Sequence, residues 1–154
     1  MRKARWMLVL CLLFGCFQVA GQQMDGPDFS IETIFNLARE KYLSADLELD
    51  VEAGFPRNAL PHGEWRQTPA DDWTSGFFPG TLWYIYEATH DWRVKDAAVK
   101  WTEALEEIQY MHHHHDIGFM MYCSYGNALR LINNPAYEPI LLQSARTLAA
   151  RYNP

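Results

Sequence analysis

Cysteine is scarce in this chain, and its distribution excludes an internal disulfide from the folded part. Of the three cysteines, Cys11 and Cys16 lie within the first 21 residues, and only Cys123 remains in the rest of the sequence. Because Cys123 lies in an apolar run, we expect a buried and unreactive thiol there.

Long hydrophobic runs are also lacking, apart from one near the N-terminus. The apolar stretch WMLVLCLLFGCF follows the basic residues MRKAR and precedes the small residues VAG. It is too short to cross a bilayer comfortably, and this order predicts a signal peptide over residues 1–21, cleaved after Gly21. We therefore expect an exported protein, periplasmic or extracellular. As an alternative, LFGC resembles a lipoprotein signal, and a membrane would be a partner only through a lipid on Cys16.

Positive charge is in deficit. The chain has 13 Lys and Arg against 19 Asp and Glu, and the predicted signal peptide contains three of the basic residues and none of the acidic ones. Its removal would change the formal net charge from −6 to −9. A surface this acidic argues against nonspecific nucleic-acid binding, so nucleic acid is not an expected partner.

No segment shows a convincing alternation of apolar and polar residues, so no strand is predicted. Residues 53–76 are rich in proline, glycine and aspartate and predict a long loop. Helical periodicity instead predicts five helices. These are residues 29–49, a second helix from Thr74 or Ser75 to about Ala88, and residues 90–111, 117–132 and 137–152.

The five helices differ in how their apolar residues are arranged. The second and fourth are apolar almost all round, which predicts burial on every side, whereas the others are amphipathic. Antiparallel helical hairpins with an inner row enclosed by an outer row would produce this alternation, so we predict an all-α, two-layered fold. The predicted apolar faces of the outer helices are Ile31, Ile34, Phe35, Ala38, Tyr42 and Ala45; Val94, Ala97, Trp101, Leu105 and Ile108; and Tyr137, Leu141, Ser144, Leu148 and Tyr152.

The run HHHHDIGFMMY, residues 112–122, raises the question of a metal site. Consecutive side chains point in different directions, and only His112 and His115 could share a helical face, so no metal site is predicted and His112 to His114 are interpreted as a solvated turn. His115 and Asp116 differ because they open a buried helix, at one end of the inner layer. Asp116 either acts as a base or electrostatic stabiliser there or caps the helix.

The stretch DDWTSGFFPG, residues 71–80, also lies where a loop enters a buried helix. Trp73 could stack on the apolar face of a sugar ring, with Asp71 or Asp72 accepting hydroxyl hydrogen bonds. Alternatively, Asp72 or Thr74 caps the helix and Trp73 covers the core. Both clusters fall at the same end of two successive inner helices, which favours a shared site.

Four segments together carry a family resemblance. FPR at 55–57, DWTSGFFPGTLWYIYEAT at 72–89, HHDIGFMMYCSYGNALRL at 114–131 and ILLQSARTLAARYNP at 140–154 resemble the unsaturated glucuronyl hydrolases, glycoside hydrolase family 88. The resemblance implies a partial (α/α)6 barrel, a two-layered helical toroid. Residues 22–154 would be the N-terminal portion of the catalytic domain.

Such enzymes act on oligosaccharides that end in a 4,5-unsaturated uronic acid, and the resemblance implies protonation and hydration of the C4=C5 bond. Neither a metal nor another cofactor is implied. By matching motif positions, Asp116 would be one of two essential carboxylates, His115 would contact the uronyl group and Trp73 would stack against the substrate. The wording SYGNA, residues 124–128, is closest to members that handle chondroitin- or heparin-derived disaccharides.

The resemblance also departs from the family's pattern. Family members are more than twice as long, and their second essential Asp, the main proton donor, has no counterpart within these 154 residues. We therefore expect no hydrolysis by these residues alone, and exposed apolar sides on the inner helices. The alternatives are an unsaturated rhamnogalacturonyl hydrolase, a non-catalytic carbohydrate-binding fragment, and a metal-binding protein.

Overall fold

The structure is a computed structural model that describes residues 30–153. The predicted signal peptide and the alternative lipid site at Cys16 lie outside the described residues. Helices dominate, as predicted for an all-α fold. The α-helices are α1 (Ile31–Glu48), α2 (Phe77–Thr89), α3 (Trp92–Glu103), α4 (Ile117–Met121), α5 (Asn127–Ile132) and α6 (Tyr137–Ala149). The other elements are 3-10 turns at Val51–Ala53 and Glu106–Tyr110, a π-helical segment at Tyr122–Gly126, and strands β1 (Phe55–Ala59) and β2 (Trp65–Thr68).

The two strands correct the prediction of a long loop. They pair antiparallel, with Phe55 opposite Thr68. Phe55 is 2% exposed, and the Gln67 amide donates hydrogen bonds to the backbone carbonyls of Gly54 and Asp50 at 2.6 and 3.0 Å. The strands were missed because they are short and because a register shift interrupts the alternation of side chains.

Helix α1 begins where Ser30 accepts a hydrogen bond from the Thr33 amide at 3.2 Å. The predicted apolar face is wrong in its first turn, because Ile31 and Ile34 are 75% and 51% exposed. That turn extends past the described core, whereas Ala45 near the other end is buried. Between them, Phe35, Ala38 and Tyr42 are partly buried against the core.

The apolar stripe predicted for α3 is confirmed, but the helix ends at Glu103, eight residues before the predicted end at Met111. All five residues of the predicted stripe, from Val94 to Ile108, are buried, although the last of them lies in the 3-10 turn that follows the helix. Trp101 donates its indole N–H to the Asp46 carboxylate at 2.7 Å, which joins α3 to α1. The indole N–H of Trp83 bonds the Thr102 hydroxyl at 2.9 Å inside the core, which joins α3 to α2.

The helix predicted over residues 117–132 is present, but a π-helical segment separates its two α-helical parts. There, the Ser124 hydroxyl donates to the Met120 carbonyl at 2.8 Å. Helix α6 is shorter than predicted: Tyr137 and Ser144 are buried as expected, but Tyr152 lies beyond the helix and is 80% exposed.

Helices α2 and α4–α5 pack side by side through glycine. A Cβ atom at Gly76 would collide with the Met120 backbone, and one at Gly80 would lie 3.1 Å from the carbonyl oxygen of Cys123. The later glycine of α2 thus meets the later residue of the second segment. The helices are therefore parallel, and both begin at the same end. Helix α3 connects them, which gives the predicted hairpin arrangement with α2 and α4–α5 as the inner pair.

The inner pair is not buried on every side. This corrects the prediction of full burial and agrees with the prediction that the inner helices have exposed apolar sides. Phe77, Tyr84 and Tyr122 are 44%, 54% and 72% exposed, so one face of α2 and of the π-helical segment is open among the described residues. An incomplete ring of helices is expected to leave this kind of surface uncovered.

Candidate active site

The turn before α2 is organised by Asp72. One carboxylate oxygen accepts hydrogen bonds from the Thr74 amide and hydroxyl at 2.9 and 2.5 Å, and the other accepts from Arg57 of β1 at 2.7 Å. Partial burial acts to raise the pKa of Asp72, but hydrogen bonds from Thr74 and Thr68 and the Arg57 charge outweigh it, so this pKa is lowered. Asp72 does not cap α2, because the N-cap residue is Gly76 and has no side-chain bond.

Trp73 projects from this turn and is not a lid on the core. Its side chain is 43% exposed. Its ring packs edge-on against Phe77 and Phe119, with centroid distances of 5.8 and 6.3 Å, and those two rings stack on each other at 5.5 Å. These three rings, here called the aromatic cluster, connect the start of α2 to α4. An exposed indole supported in this way can accept a flat apolar ligand face.

Asp116 occupies the N-cap position of α4, but its side chain makes no capping hydrogen bond. The capping alternative is therefore wrong for this carboxylate. Its two oxygens lie instead 3.3 Å from His114 Nδ1 and 3.2 Å from His115 Nε2, and the side chain is 20% exposed. Each contact becomes an ion pair only when that imidazole is protonated. The carboxylate thus remains accessible at the start of the inner helix.

The four histidines differ in their surroundings. His112 and His113 are exposed, in agreement with a solvated turn, and His115 is 81% exposed at its side chain. His114 departs from the prediction, since its side chain is 27% exposed and its Nδ1 accepts a hydrogen bond from the Asp116 amide at 3.1 Å. The rings of His114 and His115 stack with centroids 5.6 Å apart and planes 8° from parallel.

The structure places Trp73 and the His115–Asp116 pair at the same end of the inner helices. Gly76, three residues after Trp73, touches the backbone of Met120, which lies one turn after Asp116. Phe119 of the aromatic cluster follows Asp116 by three residues. Asp71 is exposed two residues before Trp73, and its side chain forms no hydrogen bond or ion pair with another described residue.

Comparison with known proteins identifies relatives of this chain. No protein-family profile matches the chain. An unsaturated glucuronyl hydrolase of Formosa agariphila is 43% identical over 101 residues, which make up 64% of this chain and 25% of that protein. A crystal structure of an unsaturated glucuronyl hydrolase specific for heparin is 44% identical, with a TM-score of 0.66. The chain is related, over most of its length, to part of the unsaturated glucuronyl hydrolases.

This relationship confirms the resemblance inferred from the sequence motifs. The heparin-specific structure covers 73% of this chain, whereas the chain spans only 30% of that structure. An unsaturated glucuronyl hydrolase of Streptococcus agalactiae, solved as a mutant complexed with dGlcA-GalNAc6S, has 24% identity and a TM-score of 0.59, which supports the helical fold. The partial helical toroid is therefore the fold of this glucuronyl hydrolase relative.

Three further residues of the candidate site were not predicted. Arg57 lies in the FPR motif, but nothing in the sequence indicates its ion pair with a residue 15 positions later. Phe77 and Phe119 were interpreted only as apolar helix residues. Their spacing, four after Trp73 and three after Asp116, was the available signal, because such spacing places side chains on one helical face.

The described residues also bear on the expectations for a metal site, a membrane span and the thiol of Cys123. Between residues 30 and 153 there is no group of three or more His, Cys, Asp or Glu side chains that could hold a metal ion. No helix in the same range is long and apolar enough to cross a membrane. Cys123 is unpaired and partly buried, and burial raises the pKa of its thiol.

Proposed function

We propose that this chain is part of a glycoside hydrolase that removes a 4,5-unsaturated uronic acid from the non-reducing end of lyase-generated glycosaminoglycan oligosaccharides. Support comes from the relatives, both named unsaturated glucuronyl hydrolases, at 43% and 44% identity. One of them is described as specific for heparin. Chondroitin- and heparin-derived disaccharides are accordingly the proposed substrates.

The parallel packing of α2 and α4–α5 is the observation on which the proposal depends. It brings the exposed indole of Trp73 and the carboxylate of Asp116, which makes no helix-capping bond, to the same end of the inner helices. The two residues are 43 positions apart in sequence. A sugar-binding site needs both an apolar surface for the ring and polar groups that fix its orientation.

The proposed reaction adds water across the C4=C5 bond. A proton is added at C4 and the water oxygen at C5, and the resulting hemiketal rearranges and releases the neighbouring sugar. Asp116 would be one of two carboxylates that assist these steps, His115 would contact the uronyl carboxylate, and Trp73 would stack on the ring. This differs from the usual displacement at the anomeric carbon by paired carboxylates, and needs neither a metal nor another cofactor.

The expected behaviour of the 154-residue chain is binding without turnover, because the second carboxylate of the family's pattern has no counterpart in it. The test is to incubate the chain with unsaturated chondroitin and heparin disaccharides and to follow the ultraviolet absorbance of the C4=C5 bond. Tryptophan fluorescence measured in parallel would report binding. Turnover that Asp116→Asn abolishes would contradict the expected inactivity, and failure of every disaccharide to bind would contradict the proposed site.

A non-catalytic carbohydrate-binding role is the second candidate. The exposed indole of Trp73 in the aromatic cluster favours it. Sequencing the gene downstream of the Pro154 codon separates the two candidates: further helices with a second carboxylate would favour the hydrolase, and a stop codon would favour the binding role. Unsaturated rhamnogalacturonan disaccharide serves as the comparison ligand, since preference for it would identify the alternative hydrolase class.

We also propose that the protein is exported. The support is the order of basic, apolar and small residues in residues 1–21. N-terminal sequencing of the mature chain should begin at Gln22. A mature chain that begins at a lipid-modified Cys16 would establish the anchored alternative instead.

A further inference from the structure

We propose that His114 is a positioning residue for Asp116, and that it holds the backbone of Asp116 by accepting its amide hydrogen. The relevant contact is the 3.1 Å hydrogen bond from the Asp116 N–H to His114 Nδ1. A histidine nitrogen can accept only when it is unprotonated, so the bond requires the neutral imidazole with its proton on Nε2. The catalytic meaning of this role rests on the proposed function, but the hydrogen bond itself does not.

His114 contacts both neighbouring site residues in this turn. Its Nδ1 lies 3.1 Å from the Asp116 amide nitrogen and 3.3 Å from a carboxylate oxygen of the same residue. Its ring also stacks on His115 at 5.6 Å with nearly parallel planes. One side chain therefore contacts the backbone of one candidate site residue and the ring of the other. His113 meets the rings of His112 and His114 edge-on, at 6.3 and 6.5 Å.

The geometry also fixes what protonation would do. A proton added to Nδ1 removes the lone pair that accepts the Asp116 amide and creates a donor next to the Asp116 carboxylate. His114 would then release the backbone and bind the side chain of the same residue. Within residues 30–153 the titratable groups in contact with His114 are His113, His115 and Asp116, and Arg151 reaches the turn through the His112 carbonyl at 2.6 Å.

Helix capping is not the reason for this arrangement. The Asp116 side chain makes no capping bond, and the Asp116 carbonyl already accepts from Met120 at 3.0 Å as the first bond of the helix. What His114 restrains is the approach of the chain into that helix, and hence the direction of the Asp116 carboxylate. This contradicts the interpretation of His114 as part of a solvated turn.

The test compares His114→Ala, His114→Asn and His113→Ala in the full chain by nuclear magnetic resonance. Asparagine places its Oδ1 near the position of Nδ1 and can accept the same amide hydrogen. We expect the Asp116 amide to exchange with solvent roughly two- to tenfold faster in His114→Ala, since one hydrogen bond is lost. His114→Asn should restore slow exchange, and His113→Ala should resemble the unmodified chain.

The tautomer of His114 gives the second readout. In the unmodified chain the 15N resonance of Nδ1 at high pH should be that of an unprotonated nitrogen, because Nδ1 accepts the Asp116 amide hydrogen. Unchanged amide exchange in His114→Ala, or a protonated Nδ1 at high pH, would overturn the proposal.

Two features keep the test decisive. If His114→Ala fails to fold, the Nδ1 resonance of the unmodified chain and the His114→Asn variant still decide the question. The amide measurements need no ligand, so failure of the unmodified chain to bind unsaturated disaccharide would count against the proposed function alone. An effect on Asp116 in His113→Ala as large as that in His114→Ala would also contradict the specific role of His114.

Discussion

Arg130 of α5 donates hydrogen bonds to both carboxylate oxygens of Glu87 in α2, at 2.5 and 2.9 Å. This bidentate ion pair joins residues 43 positions apart, the same separation as between Gly80 and Cys123. The inner pair therefore keeps the register of the Gly80 contact to its far end, whereas Gly76 and Met120 at the other end are 44 positions apart. The register places the candidate site at the helix starts and this ion pair near the helix ends.

The ion pair predicts an acid-dependent contribution to stability. The hydrogen bond from Arg130 is the main cause that lowers the pKa of Glu87 below its usual value near 4.5. Because the folded-state pKa is the lower one, the stabilisation is fully present above the unfolded-state pKa and is lost as the pH falls through the folded-state pKa. Glu87→Gln should therefore unfold slightly more easily at neutral pH and match the unmodified chain in acid.

The measurement is thermal unfolding at neutral and acid pH, with and without added salt. Salt should reduce the difference at neutral pH, because both groups are exposed and exposed pairs are screened. Glu107→Gln is the control, since Glu107 is exposed and forms no ion pair with another described residue. A difference that persists in acid would contradict the ion pair as its cause.

Gly76 predicts a larger and pH-independent effect. A Cβ atom there would collide with the Met120 backbone, which cannot move without shifting α4. We expect Gly76→Ala to lower the free energy of unfolding by about 1–3 kcal/mol or more, as measured by urea denaturation. In Gly118→Ala the new Cβ would meet only the end of the Leu148 side chain, at 3.0 Å, so that variant should stay near the unmodified stability. Equal stability of both variants would contradict the proposed close packing.

The contacts of Asp72 predict that the stability of the turn before α2, which contains Trp73, decreases in acid. Its lowered pKa means that its charged form is favoured by folding, so this stabilisation is present at neutral pH and lost as the pH falls through the folded-state value. Asp72→Ala should cost about 1 kcal/mol at neutral pH through lost hydrogen bonds. Asp72→Asn should recover part of this loss, because an amide oxygen can still accept from Thr74.

Urea denaturation at neutral and acid pH would measure both variants. Asp71→Asn is the control, since Asp71 is exposed at the neighbouring position. The difference between the unmodified chain and Asp72→Asn should disappear in acid. An effect of Asp71→Asn as large as that of Asp72→Asn would show that charge in this turn, rather than the Arg57 and Thr74 contacts, is responsible.

The helices were predictable because burial follows a simple period. The stripe from Val94 to Ile108 repeats every three or four residues and is buried throughout. The β-hairpin of β1 and β2 was not predictable. Phe55 is fixed by a tertiary contact with Trp101, at a ring distance of 5.5 Å, and not by local alternation of apolar and polar residues. His114 was misinterpreted for a related reason, because identical neighbours in sequence carry no sign of which imidazole faces the Asp116 amide.

Trp73, His115 and Asp116 were named from the sequence, whereas the contacts of Arg57, Phe77 and Phe119 around them were not. Trp73 lies in the turn before α2 and Asp116 is the N-cap residue of α4, so their shared end follows once the helices are known to be parallel. The parallel direction itself depends on the glycine contacts, which require the folded structure. The bond from Arg57 to Asp72 likewise joins two segments whose proximity depends on the unpredicted hairpin.

Trp73 provides the sharpest test of the candidate binding surface. It is 43% exposed and meets Phe77 and Phe119 edge-on at the surface, so Trp73→Ala should unfold at nearly the same urea concentration as the unmodified chain. If the indole stacks on the unsaturated ring, binding of unsaturated heparin or chondroitin disaccharide should weaken roughly two- to tenfold, the usual value of such a ring contact. Trp73→Phe should retain part of the affinity.

Trp92→Ala is the matched control, because Trp92 is 67% exposed on α3, away from the inner helix starts. Isothermal calorimetry on the three variants decides the point: equal losses for Trp73→Ala and Trp92→Ala would place the sugar elsewhere than on the aromatic cluster.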